Sequence, residues 1–173
     1  RRGAQVVLVS GPVHLPAPVS VKMIPVTTAQ EMYEAVDAQF DSQDIVVMSA
    51  AVADYRPKHT ESEKIKKQDG AAMLELERTK DILGSMSKRK NGQFLCGFSM
   101  ETEHMLENSR AKLEKKNLDM IVANNLRMEG AGFGTDTNII TIITKDAANE
   151  LPIMSKDEAA HAIFDQIKNF VCN

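Results

Sequence analysis

Four short apolar runs constrain the fold of this chain more than any other feature of its sequence. They begin near residues 6, 45, 94 and 120, and none contains a charged residue. Stretches with helical spacing of apolar residues lie between them, and the first of these opens on a capping box formed by Thr28 and Glu31. Strands that alternate with helices predict an α/β fold, a Rossmann-like, doubly wound and mostly parallel sheet.

The C-terminal part follows another pattern. Residues 138–144 and 151–154 predict two strands joined by a polar turn. Ser155 and Glu158 form a second capping box, and the helix that follows carries one apolar face made of Ala159, Ile163, Ile167 and Phe170. We therefore predict that the parallel sheet is followed by a β-hairpin and a helix.

The first residues resemble the end of a helix. Arg1 and Arg2 precede Gly3, a residue that often lies just past a helix end, and an apolar strand follows at once. Compact α/β domains rarely begin in this way. We therefore expect residues 1–173 to be a single domain that lacks its N-terminal βα unit.

Composition excludes several classes of function. The net charge of −3 and the 5% aromatic content argue against a nucleic-acid-binding protein. No apolar run approaches the roughly 18 residues of a membrane span, and no secretory signal is visible. Cys96 and Cys172 have no metal-ligand spacing, and Cys96 lies in an apolar strand, which predicts a reduced core thiol and a cytoplasmic protein. The four histidines are scattered, and there is no P-loop.

Small and charged residues follow the apolar run at residue 45. Ser49, Ala50 and Ala51 lead to Asp54 and Arg56, as expected where a ligand approaches the carboxyl end of a strand. An ordinary surface loop remains the alternative. The other strands are followed by Gly11, by residues 98–101 and by an asparagine pair, so these loops are expected to meet at one edge of the sheet.

Several motifs of the chain occur together in one known family. They are AAVADYRP at 50–57 with EKIKK at 63–67, SGPV at 10–13, KDIL at 80–83, Gly97 and Phe98 with Glu101, Lys112 with Lys116, ANN at 123–125, and Phe133 and Gly134 with Asp136 and Asn138. In this order they resemble the bacterial phosphopantothenoylcysteine synthetases, the ligase of coenzyme A biosynthesis, over essentially the whole chain. Where Lys80 stands, that family usually has proline, which puts the local turn in doubt.

The resemblance implies a reaction and its reactants. The family joins 4′-phosphopantothenate and L-cysteine at the expense of CTP, through an acyl-cytidylate, and releases CMP and pyrophosphate, with Mg²⁺ on the triphosphate. It also implies a homodimer and, fused upstream or associated, a flavin-dependent decarboxylase domain that would bring FMN. The alternative function is a non-catalytic Rossmann-like module that binds a nucleotide or a flavin.

The resemblance also implies site residues. Lys64 would be the catalytic residue, on a lid that closes over the acyl-nucleotide. The nucleotide would be bound by Met48, Ser49, Ala50, Asp54, Lys64, Lys80, Asp81, Ile82, Leu83, Phe98, Lys112 and Lys116. The phosphopantothenate would be bound by Ala51, Asn124 and Asn125. Metal ligands are not implied.

Each of these assignments has a structural alternative. Lys112 and Lys116 are four residues apart, so they share a helix face that could simply be a solvated basic surface. Lys64 lies among alternating charges that could be a solvated loop. Phe98 could belong to the core, and the asparagine pair could cap a turn.

Overall fold

The computed structural model describes residues 2–66, 70–101, 104–125 and 136–171. Two compact units are present, a first unit of Arg1–Ala38 and Ala50–Ile82 and a second unit of Gln39–Ser49 and Leu83–Asn173. The elements in chain order are β1 (Val6–Ser10), β2 (Val21–Pro25), α1 (Ala29–Phe40), β3 (Ile45–Met48), β4 (Tyr55–Pro57), β5 (Leu76–Arg78), α2 (Ile82–Ser87), β6 (Phe94–Glu101), α3 (Met105–Lys115), β7 (Met120–Asn125), β8 (Thr137–Asn138), β9 (Ile140–Ile143), β10 (Ala148–Glu150), β11 (Met154–Ser155) and α4 (Lys156–Val171).

A five-stranded sheet forms the centre of the second unit. Its strand order is β10-β9-β7-β6-β3, in which β3, β6 and β7 run parallel and β9 is antiparallel to both of its neighbours, β7 and β10. The predicted α/β class, the mostly parallel sheet and the C-terminal hairpin and helix are confirmed. The apolar runs form the central strands because both faces of a parallel sheet are usually covered.

The hairpin differs in its bounds from the prediction. Its second strand is β10, whereas the sequence indicated residues 151–154. Pro152 lies in the predicted stretch and has no N–H to donate to a sheet ladder, so pairing with β9 uses the residues before it. Residues 154–155 instead form β11, which pairs with β8 in a separate two-stranded ladder.

The core of the second unit lies on β6, β7 and β9 and under α4. Nine buried residues form one cluster, namely Phe94, Cys96, Met120, Val122, Ile140, Ile142, Ala159, Ile163 and Ile167. Burial raises the pKa of the Cys96 thiol to about 12, with a smaller contribution from the negative charge of Asp119. This thiol therefore stays protonated near neutral pH, in agreement with the predicted core role.

The predicted capping box of α4 is complete, whereas only half of the one predicted for α1 forms. The N–H of Glu158 donates to Ser155 Oγ at 3.2 Å, and the Glu158 carboxylate accepts the N–H of Ser155 at 2.8 Å. Two hydrogen bonds from Ser155 lower the pKa of Glu158. The bond from the hydroxyl has the larger effect and the bond from the N–H the smaller one. At α1, the N–H of Glu31 donates to Thr28 Oγ1 at 3.1 Å, while its carboxylate accepts from the N–H of Thr27 rather than from Thr28.

In the first unit, β1 and β2 pair in parallel in a two-stranded sheet of their own, from Val6 opposite Val21 to Ser10 opposite Pro25. The sequence placed the strand near residue 6 in the same sheet as the other apolar runs, and this part of the prediction is wrong. Apolar composition identifies a strand but not its neighbour, because the neighbour depends on the path of the connecting chain. The helices among the described residues include none long and apolar enough to cross a membrane.

Asp119 fixes the amino ends of β6 and β7 to each other. Its carboxylate accepts the N–H of Leu95 at 2.7 Å, and both of its oxygens accept from Lys90 Nζ at 2.7 Å. The Lys90 and Asp119 side chains are only 17% and 30% exposed, whereas those of the ion pair between Arg89 and Asp41 are 41% and 77% exposed.

We expect Asp119→Ala to lower the free energy of unfolding by about 1–3 kcal/mol, since it removes the acceptor of the Leu95 N–H and leaves the half-buried ammonium group of Lys90 with only the carbonyl of Asn117. The matched variant Asp41→Ala removes an exposed partner and should cost less than about 1 kcal/mol. Urea unfolding followed by circular dichroism measures both values. Equal losses in the two variants would contradict the proposed role of Asp119 in joining the strands.

Candidate functional site

Three parallel strands of the second unit bring predicted site residues to one edge of the sheet. Met48 ends β3 and lies opposite Gly97 of β6. Phe98 follows on β6, and Met100 of the same strand lies opposite Asn124 of β7. Ligands of doubly wound proteins bind outside such carboxyl strand ends, so this edge is a candidate binding surface.

Gly97 allows a leucine side chain to lie directly on the β6 backbone. A Cβ atom at this position would be 2.8 Å from Leu83 Cδ2 and 3.1 Å from Leu118 Cδ1, closer than ordinary van der Waals contact. Leu83, predicted at the nucleotide, is therefore held against β6 at Gly97. Phe98 itself is half-buried and packs against the core cluster, so its ring has both a core contact and an accessible part.

Two buried hydroxyl groups join α3 to β6. Ser99 Oγ and Ser109 Oγ are 2.8 Å apart, and both residues are buried. One turn further along α3, Lys112 Nζ donates to the carbonyl oxygen of Phe98 at 3.5 Å. The serine pair thus fixes the helix face from which Lys112 reaches the carbonyl of Phe98 on β6. Neither serine was predicted, and their spacing in the sequence gives no signal of the pairing.

The structure separates the two predicted lysines of α3. Lys112 is half-buried and contacts Phe98, whereas Lys116 is the C-cap residue at the end of the helix. Lys116 lies three residues before Asp119, whose N–H donates to the carbonyl of Leu95 at the amino end of β6. The structure therefore brings Lys112, but not Lys116, to the carbonyl of Phe98.

Asn124 is held by a second asparagine. Asn138 Nδ2 donates to Asn124 Oδ1 at 3.2 Å, and the N–H of Ile139 donates to Asn138 Oδ1 at 3.0 Å. Asn125 ends β7, but its side chain lies outside the described part of the structure, as do Lys67, the side chain of Glu101, Phe133 and Gly134.

In the first unit, Thr79 forms hydrogen bonds with the loop that follows Ala50 and Ala51. Its N–H donates to the carbonyl of Asp54 at 2.9 Å, and its hydroxyl donates to the carbonyl of Ala53 at 2.6 Å. Ala50, Ala51 and Asp54 are exposed. Thr79 was not predicted, although a threonine directly before the KDIL motif could have suggested a side chain that binds neighbouring backbone.

Lys80 contacts an aromatic ring of the same unit. Its Nζ lies 4.3 Å from the centroid of the Tyr33 ring, within the range of a cation–π interaction. The ammonium group is therefore placed by α1, on which Tyr33 lies. Asp81 is exposed and the adjoining Ile82 is buried at the start of α2, so the KDIL motif passes from an exposed turn into a helix.

Lys64 lies in the loop of an exposed antiparallel arm. Tyr55 pairs with Arg78 and Pro57 with Leu76, so the strands of the arm are β4 and β5. Of residues 65–76, the described residues 65, 66 and 70–75 lie outside any strand, and only Leu76 belongs to β5. Within the arm, Arg56 of β4 forms an ion pair at 2.6 Å with Glu77, which lies directly opposite it on β5.

The loop of this arm has few apolar contacts. Lys64 is exposed, and the side chain of Ile65 is 76% exposed. Within the described ranges, no three His, Cys, Asp or Glu side chains come together as they would around a metal ion.

Comparison with known proteins gives close relatives. The coenzyme A biosynthesis bifunctional protein CoaBC of Bacillus subtilis (strain 168) is 50% identical over 167 residues, which are 95% of this chain and 41% of the relative. A protein from an unknown prokaryotic organism, named cysteine/cysteine sulfinic acid decarboxylase, is 42% identical over 172 residues, covering 98% of this chain and 48% of that protein. The chain thus spans less than half the length of these relatives.

A solved structure has the same fold. The crystal structure of the C-terminal domain of coenzyme A biosynthesis bifunctional protein CoaBC is 44% identical and superposes with a TM-score of 0.81, over 98% of this chain and 77% of that one. The family described as DNA/pantothenate metabolism flavoprotein C-terminal domain matches residues 1–171. Because this match covers nearly the whole chain, the protein belongs to that family.

Proposed function

We propose that this chain carries the ligase activity that joins 4′-phosphopantothenate to L-cysteine in coenzyme A biosynthesis, with CTP as the activating nucleotide. The observation that carries the proposal is its 50% identity to the Bacillus subtilis bifunctional protein, which extends over 95% of the chain. The 44% identity to the C-terminal domain of such a protein supports it.

The reaction has two steps. A carboxylate is a poor acyl donor, so a carboxylate oxygen of phosphopantothenate first attacks the α-phosphorus of CTP and pyrophosphate leaves. The amine of cysteine then attacks the acyl carbon, loses a proton and displaces CMP. Neither step needs a covalent protein nucleophile, because positioning and charge neutralisation can supply the catalysis.

The described residues offer the groups that this chemistry needs. Lys112 would neutralise triphosphate charge beside Phe98, and the backbone of Met48, Ser49 and Ala50 would contact the nucleotide with Asp54. Asn124 would bind phosphopantothenate. Lys116, Lys80, Asp81, Ile82, Leu83, Ala51 and Asn125 keep the binding roles that the family resemblance implies.

We further propose the reactants and partners of the family for this protein. Mg²⁺ fits as an ion carried by the phosphate oxygens of CTP and by water, because Mg²⁺ commonly keeps several waters and uses few protein ligands. A homodimer in the cytoplasm and a decarboxylase domain with FMN, fused or associated, complete the proposal.

The alternative is a module that binds a nucleotide or flavin while another part of the protein is active. One relative, which is 42% identical to this chain, is named as a decarboxylase. The alternative that this chain serves as a binding module in an enzyme of another activity can therefore be tested. The full-length protein should release pyrophosphate from CTP only when phosphopantothenate is added. Release that does not depend on the acid would contradict the ligase, and no release together with tightly bound flavin at this chain would favour the module.

We expect cytidine nucleotides to bind more tightly than purine nucleotides. The order of AVADYRP, Phe98, Lys112 and Lys116 is that of a CTP-dependent family. Calorimetry with CTP and with ATP, under identical Mg²⁺ and salt, measures the preference. Equal or reversed affinities would exclude the cytidine assignment.

Removing either lysine of α3 should weaken CTP binding. We expect Lys112→Ala and Lys116→Ala to cost about 1–3 kcal/mol each, as for a charge-assisted hydrogen bond, with the larger loss for Lys112 because it lies at the carbonyl of Phe98. Lys115→Ala, which removes an exposed lysine of the same helix, is the matched control. If all three variants bind CTP like wild type at low salt, this helix face is merely solvated.

Lys64 should act in the second step only. As cysteine attacks, negative charge shifts onto the acyl phosphate oxygens, and a lysine delivered by a mobile loop would stabilise it. We therefore expect Lys64→Gln to release pyrophosphate and accumulate the acyl-cytidylate while amide formation becomes slow.

Single-turnover product analysis of the full-length enzyme measures the two products separately. Lys66→Gln changes an exposed lysine of the same loop and serves as the control. Loss of both steps in Lys64→Gln would instead assign this lysine to nucleotide binding, and unchanged amide formation would make it a bystander.

A further inference from the structure

The hydrogen bond between Asn138 and Asn124 joins two side chains whose backbones are both held in strands. Asn124 lies near the carboxyl end of β7, opposite Ile140 of β9. Asn138 lies on β8, opposite Met154 of β11. Both side chains are half-buried. Because strand pairing holds each backbone, the two amide groups meet in a defined orientation.

The direction of this hydrogen bond follows from a backbone group. The N–H of Ile139 can only donate, so the Asn138 atom 3.0 Å from it is the carbonyl oxygen. The other end of the Asn138 amide must then be its NH₂ group, which donates to Asn124 Oδ1 at 3.2 Å. A flipped Asn138 amide would place an NH₂ group against the N–H of Ile139, and the backbone therefore selects one orientation.

The orientation of Asn124 follows in turn. Its oxygen is occupied by Asn138, so its NH₂ group points away from that bond. Among the described residues this NH₂ group has no acceptor. Asn124 thus offers two hydrogen-bond donors and no acceptor in that direction.

We propose that Asn138 is a positioning residue that fixes the Asn124 amide with its NH₂ group toward the substrate, so that this position selects a hydrogen-bond acceptor oxygen. The inference rests on the proposed function, in which Asn124 binds phosphopantothenate. The phosphate, carboxylate and amide carbonyl groups of that substrate are all acceptors of this kind. A neutral amide held in one orientation can donate to any of them without a change in charge.

The orientation can be reversed by a small substitution. Asn138→Asp keeps an oxygen for the N–H of Ile139 but places a second oxygen against Asn124 Oδ1. Two acceptors repel each other, so the Asn124 amide should turn and donate its NH₂ group to the introduced carboxylate. Its oxygen would then face the substrate, where an acceptor is unfavourable.

A double-mutant cycle separates this effect from the added charge. The measured quantity is the affinity of the full-length protein for phosphopantothenate, by calorimetry. We expect Asn124→Ala and Asn138→Asp each to weaken binding about tenfold, and Asn138→Ala, which frees the amide without reversing it, about threefold. In the Asn124→Ala background, Asn138→Asp should cause less than about a twofold further loss.

Two controls accompany the cycle. Asn149→Asp places the same charge on β10, where the side chain is exposed, and should not change the affinity. The affinity for CTP should stay at the wild-type value in every variant. If Asn138→Asp weakens phosphopantothenate binding as much in the Asn124→Ala background as in wild type, the substitution acts through its charge or through the fold, and the proposal is overturned. If Asn138→Asp does not weaken binding in the wild-type background, the proposal is overturned as well.

A second measurement does not depend on the reaction. With ¹⁵N-labelled asparagine in the full-length protein, the NH₂ protons of Asn124 should exchange quickly with water in wild type. In Asn138→Asp one of them gains an acceptor, and its exchange should slow about tenfold or more. If wild type binds no phosphopantothenate, the proposed function fails, and this exchange rate alone decides the positioning role. Unchanged exchange would overturn it.

Discussion

The parallel pairing of β6 with β3 and β7 is the constraint on which the second unit depends. Leu95, Cys96, Met120 and Ile121 are completely buried in these strands, so a shift of register would expose apolar residues along the whole ladder. At the amino ends, Asp119 holds the backbone of β6 and the ammonium group of Lys90 together. Because the strands are parallel and their register is fixed, the polar residues at their carboxyl ends lie along a single edge. The candidate site is thus a consequence of how the core is buried.

Some of the residues proposed for the reaction lie on well-packed strands or helices, and others lie in an exposed loop. Phe98 and Asn124 lie on strands whose neighbouring residues are buried, and Lys112 lies on a helix fixed by the Ser99 and Ser109 hydroxyl groups. Lys64, by contrast, lies in the exposed loop of a two-stranded arm, and such ribbons are marginally stable by themselves. Groups that must be in place before a substrate binds are expected on rigid elements, whereas a group needed late in a reaction can lie on a segment that moves.

Neighbours distant in the sequence set the orientation of several side chains. The ammonium group of Lys80 lies on the face of the Tyr33 ring, far earlier in the chain. Thr79 fixes the carbonyl groups of Ala53 and Asp54. The Asn138 amide is oriented by the N–H of Ile139 and passes that orientation on to Asn124. In each case a local motif provides the functional group, and a residue outside the motif determines which of its atoms are presented.

The sequence by itself determined the class of the fold, the strands β3, β6, β7 and β9, the helices α1 and α4 and the family, because apolar periodicity, capping residues and ordered motifs are local signals. It did not determine that β1 pairs with β2 in a separate sheet, that β10 rather than residues 151–154 forms the hairpin, or that the arm is closed by β4 and β5. It also could not separate Lys112 from Lys116, since a spacing of four places both on one helix face without showing which end of the helix lies at the strand ends. Strand partners and hydrogen-bond directions were decided only by the tertiary structure, because they depend on contacts between residues that the chain brings together from far apart.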